Sequence, residues 1–174
     1  MIIAQQKRRE NIIEYILYMW QLEDMLRAVS FDVSRIINQY DYPDETMQEI
    51  RTWYEQLVQA MHNEGIKEKG HLAQLRDLVL DLSSLNIQLL QSPSEKKYQS
   101  LFNEALPHIS EVIQKSGNTI KNEIEACLIA LYGTLLLRLQ KKEVSQETTE
   151  AVNHFSRLMA LLSRKYIEHE QGEL

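Results

Sequence analysis

The sequence predicts an all-α fold, an antiparallel multi-helix bundle of about six long helices and one short one, with no sheet. Three observations lead there. In Ile12-Ile-Glu-Tyr-Ile-Leu-Tyr-Met-Trp20 only Glu14 is charged, and on a helical wheel the large apolar side chains point in nearly every direction. A helix of that kind must be wrapped by others or packed against a partner. Five glycines and three prolines are few for 174 residues, and most fall where helices should begin or end. No window sustains the period-2 alternation of a half-buried strand.

The expected segments are 7–29, 31–40, 43–64, 70–91, 93–116, 119–142 and 146–169. The first is a run free of Gly and Pro. Tyr42-Pro43-Asp44-Glu45 opens the third, with two acids suited to a positive helix N-terminus. Met47, Ile50, Tyr54, Leu57, Val58 and Met61 keep helical spacing within it. Gly65 and Gly70 bracket a hinge before the fourth segment, where Leu72, Leu75, Val79, Leu82, Asn86 and Leu89 alternate three and four apart. Ser92-Pro93-Ser94-Glu95 reads as a capping box opening the fifth, with Ser92 as the cap, Pro93 in the first helical position and Glu95 reaching back. Pro107 should kink or break that helix near Leu106. Gly117 ends it, and Ser145 opens the last segment. The sixth is apolar nearly all round from Ile124 to Leu139, so it and the first are the expected central helices. Gly133 within it lowers helix propensity, for which close approach of a neighbouring backbone would compensate. The hairpins starting at Pro43 and Pro93 share a layout but few side chains, which favours a generic up-down arrangement over duplication.

A helix of about 23 residues spans roughly 34 Å, while a compact chain of this length has a radius of gyration of only about 16 Å. Long helices should therefore lie side by side, joined by short turns. Length favours one domain over residues 1–174. The single cysteine, Cys127, allows no internal disulfide, and the opening residues reverse the order of a signal peptide. The longest apolar run, Ala126 to Leu137, is about 12 residues against the roughly 20 of a membrane span. A cytoplasmic protein without membrane contact is expected. The 25 acidic and 19 basic residues are spread along the chain for a net charge of −6. Lys7-Arg8-Arg9 is the one dense basic cluster, so nucleic acid is a disfavoured partner.

Glu23 is the most unusual candidate. It shares a helical face with Ile12, Ile16, Met19 and Leu26, where a charge is expensive to bury, and Arg27 lies one turn on in the favourable order for an ion pair. The pair reads as structural, or as a polar site in a cavity. Asn86 occupies a core position of the Leu72–Leu89 stripe, where one amide can set register or line a pocket. The only Glu-x-x-His is Glu68-Lys-Gly-His71, inside a turn and without a second copy, so a di-metal centre has no support. Glu10/Glu14 and Asp77/Asp81 read as solvated faces. Cys127 sits among apolar residues, where a thiol is inert. No histidine has a recognisable nucleophile or metal partner, and phosphate-binding glycine loops are absent from the sequence, so no catalytic residue, cofactor or metal is assigned. Tyr15, Tyr18, Trp20, Trp53 and Tyr54 are the aromatic candidates for a core edge or an interface, with Tyr40 and Tyr42 beside the Pro43 turn.

The opening from Ile3 through Arg9, Ile12 and Trp20 to Gln21-Leu-Glu-Asp-Met-Leu-Arg-Ala28 resembles a family of uncharacterised Bacteroidota proteins, all-helical, of similar length and classed as a domain of unknown function. The resemblance places Glu23, Asp24 and Arg27 in the family's signature segment and implies no activity. The expected role is that of a non-enzymatic helical protein acting through protein–protein contact, as a homodimer. The alternatives are a small-molecule-binding bundle or an enzyme of unfamiliar type with a site near Glu23 and Arg27, and RNA or ribosome association through Lys7-Arg8-Arg9.

Overall fold

A computed structural model describes residues 2–39, 43–117, 119–120 and 122–172. Tyr40 and Tyr42 lie outside them. Among the described residues there are eight helices and no strand: α1 (Ile2–Glu10), α2 (Ile12–Ala28), α3 (Val33–Ile37), α4 (Asp44–Asn63), α5 (Ala73–Gln91), α6 (Lys96–Lys115), α7 (Glu123–Leu139) and α8 (Gln146–Glu170). The fold is all-α. No helix among the described residues is long and apolar enough to cross a membrane. The chain forms two compact units, the first of residues 1–10 and 14–77, the second of residues 11–13 and 78–174.

The expected first helix is two. It begins earlier, at Ile2, and is interrupted at Asn11. Asn11 Oδ1 accepts the Ile13 amide at 3.1 Å, and Ser163 Oγ accepts the Ile12 amide at 3.1 Å while donating to Asn11 Oδ1 at 2.9 Å. The free amides at the start of α2 are thus met by one local and one distant side chain, the work of an N-cap. From there α2 is covered nearly all round: Ile12, Ile13, Ile16, Met19 and Trp20 are buried, while Glu14 is exposed.

In the first unit α3 packs on α4, and Ile16, Leu22, Leu26, Ile36, Ile37, Tyr54, Met61 and Leu75 are buried. Asp32 caps α3 through the Ser34 amide. Gly65 and Gly70, at φ +69° and +92°, form the expected hinge after α4.

In the second unit α6, α7 and α8 pack on one another around Tyr98, Phe102, Ile109, Ile124, Leu128, Phe155, Leu158 and Leu162. Asn122 and Ser145 cap α7 and α8 through the amides three residues on. Three expectations are corrected here. Ser92 does not cap a helix: Ser92–Glu95 is a turn, closed by the Glu95 amide on the Ser92 carbonyl, and α6 starts at Lys96. Glu95 instead binds Lys165 at 2.8 Å, and Gln99 Nε2 donates to the carbonyls of Leu90 and Ser92 that end α5. Pro107 does not break α6, which runs through it. The bond that the ring removes is the one to the Asn103 carbonyl, and Asn103 is exposed, so water can take its place.

The third concerns α7, which is central only along its first half. Ile124, Ala126, Cys127 and Leu128 are buried, but Ile129 and Leu139 are 39% and 56% exposed. No backbone approaches Gly133, where an added Cβ would meet nothing within 4 Å. Gly133→Ala is therefore expected to stabilise the protein by about 1 kcal/mol, since Ala gains helix propensity without a clash. A thermal melt should rise by about 2–4 °C, whereas a fall would reveal a close contact at that site.

Candidate functional site

Trp20 and Glu23 are one turn apart on α2 and hold the same residue between them. The Trp20 ring stacks on His71, centroids 4.2 Å apart and planes 14° from parallel. His71 Nδ1 lies 2.6 Å from Glu23 Oε2, the ring N–H donating to the carboxylate. The other oxygen accepts the Leu72 amide at 2.9 Å. Glu23 is completely buried, so both bonds offset a large desolvation penalty. Leu72 directly precedes α5, and the next amide, of Ala73, donates to Glu64 at 2.7 Å. Two carboxylates therefore cap the positive end of α5. This arrangement orients an imidazole, yet it is engaged in holding a helix start.

Arg27 is not the partner of Glu23. Its Nη1 pairs with Asp24 at 2.8 Å, its Nε and Nη2 reach the Ile66 carbonyl at 3.3 and 3.1 Å, and Nη2 also donates to the Gly70 carbonyl. It clamps the hinge from Ile66 to Gly70. The expected ion pair is replaced by two separate fixings of one loop, because Glu23 turns towards the α5 start.

Beside these fixings the first unit opens into a groove of about 590 Å³. Its floor is apolar, with Ala4, Met19, Leu57 and Leu72 buried, and Tyr15 and Trp53 stand half-buried along it. Arg8, Arg9, Gln5, Gln56 and Gln74 also line it. Burial holds the Tyr15 hydroxyl above its usual pKa, with Arg8 opposing and Glu23 adding to the effect. A shallower depression with Glu45, Gln48, Glu49 and Thr52 continues from Trp53 and Gln56 along α4.

The aromatic candidates divide. Tyr15 and Trp53 line the groove, Tyr18 is half-buried elsewhere, and Trp20 and Tyr54, at 4% and 0% exposure, are core side chains that no partner can reach. Asn86, in the second unit, is 1% exposed and accepts the Tyr98 hydroxyl at 2.7 Å, joining α5 to α6. Cys127 is fully buried, and burial pushes its thiol up to about 12. Among the described residues no group of three or more His, Cys, Asp or Glu side chains is placed to hold a metal. The residue that sequence reasoning missed is His71, found 48 positions from Glu23. The available signal was Glu23 itself, a carboxylate on an apolar face that needed a donor from somewhere.

A family model described as a domain of unknown function (DUF4924) matches residues 1–173. The chain belongs to this family. The match takes in the residues of both units. No curated protein and no solved structure matches the chain.

Proposed function

We propose that the chain is a non-enzymatic protein of the cytoplasm that works through protein–protein contact, with the groove between α1, α2 and α4 as its contact surface. One observation supports this above others: Tyr15 and Trp53 stand half-exposed over an apolar floor, with two arginines at the rim. Aromatic and arginine side chains dominate binding energy at protein interfaces, ringed by polar groups that exclude water. The polar groups that looked suited to chemistry are engaged otherwise, Glu23 at the α5 start and Arg27 on the hinge. The basic cluster is a poor phosphate surface, since Lys7 pairs with Glu14 at 2.7 Å.

Trp53→Glu tests the reading, because it places a charge in the groove at a side chain that is only half-buried. Affinity capture from native extract should lose its specific partner, or self-association should fail, while the melting curve stays unchanged. Unchanged capture and unchanged self-association would overturn the proposal. A second reading, a small-molecule site, draws support from the groove's volume, which falls within the roughly 300–1,000 Å³ of ligand pockets. Native mass spectrometry showing a bound small molecule that Trp53→Glu releases would favour it.

A further inference from the structure

Resting on that reading, we infer that the groove's occupant is a second copy of the chain, paired about a two-fold axis that passes beside Trp53. Along α4, Glu45, Gln48, Glu49, Thr52, Trp53, Gln56 and Ala60 recur three and four apart, so they form one stripe. All seven line the groove or its continuation. At about 1.5 Å per residue the stripe is roughly 22 Å long.

Its charge is polarised. The first two turns carry exposed Glu45 and Glu49, whereas the last two run beside Arg8 and Arg9 of α1. An antiparallel copy laid on this stripe brings position 45 opposite 60, and 49 opposite 56. The acidic end of each copy then meets the arginine end of the other, twice. Thr52 and Trp53 stand at the centre on either side of the axis, each opposite the other residue of the second copy. A parallel or slipped pairing sets like charges together and is disfavoured. A patch that complements itself under two-fold rotation is what an isologous interface requires. The buried core of the contact is small, two aromatic side chains in each copy, which places it in the weak class of interfaces.

Sedimentation velocity through the micromolar range tests the pairing. The unaltered chain should form dimers. The pair Glu45→Arg/Glu49→Arg and the pair Arg8→Glu/Arg9→Glu should each weaken self-association at least tenfold. Mixed one to one, they should dimerise again, because one charge contact is rebuilt with its signs exchanged and the other keeps its native signs. Circular dichroism melts check that each variant folds, and Arg9→Glu alone serves if the half-buried Arg8 does not tolerate reversal. A chain that stays monomeric throughout, dimers indifferent to reversal, or mixtures that fail to recover would each overturn the inference. If the chain is monomeric and Trp53→Glu still abolishes capture of another protein, self-pairing fails and the contact reading survives. If neither experiment responds, both fail.

Discussion

Glu23→Ala is expected to destabilise the protein by about 3 kcal/mol, as removal of one partner from a buried polar cluster does. The side chain is completely buried and has two donors, the Leu72 amide at 2.9 Å and the His71 ring at 2.6 Å. Alanine leaves the Leu72 amide without its acceptor at the point where α5 begins, and it leaves a cavity beneath the imidazole that Trp20 stacks. Glu23→Gln should be milder, about 1 kcal/mol, because the amide oxygen still accepts from Leu72. Urea denaturation of both variants checks the order. Equal effects would mean that charge rather than hydrogen bonding holds the site, and a negligible alanine effect would mean that the cluster is dispensable.

Arg27→Met is expected to destabilise by about 2 kcal/mol, the range for hydrogen bonds to a charged group. Methionine keeps the apolar stem of a mostly buried side chain but abandons the carbonyls of Ile66 and Gly70 and the Asp24 carboxylate. The effect should be local first. Hydrogen exchange should accelerate in the hinge around residues 66 to 72 before it changes in α8. Arg27→Lys should recover only part of the loss, since one ammonium cannot present the planar fork that reaches two carbonyls at once. Uniform acceleration across the chain would contradict the clamp.

The helices were legible where a local rule was sufficient. Asp44–Asn63 and Gln146–Glu170 follow their apolar periodicity, Ser145 caps as its position suggests, and Gly65 and Gly117 adopt the left-handed conformation that ends a helix. What escaped was non-local. Asn11 interrupts the opening helix with the help of Ser163, 152 positions away. Glu95 was assigned to a local cap but joins Lys165. Glu23 had a neighbour of the right sign one turn on, yet a histidine 48 positions away can approach end-on beside a backbone amide. The groove was half legible, because composition singled out Tyr15 and Trp53 but equally Trp20 and Tyr54. Only packing decides which aromatic faces are covered.

Burial also explains why the protein can report on its own contacts. Cys127 is buried, and its thiol is held at about 12, so it stays unreactive and can be left in place beside an introduced cysteine. Thr52→Cys puts a thiol on exposed α4 where the proposed two-fold axis passes, and Asn153→Cys puts one on exposed α8 as a control. Mild oxidation at micromolar concentration should link Thr52→Cys chains into covalent dimers rapidly and leave Asn153→Cys chains largely monomeric. Equal linking at both positions, or linking at 153 alone, would contradict a contact surface centred on Trp53.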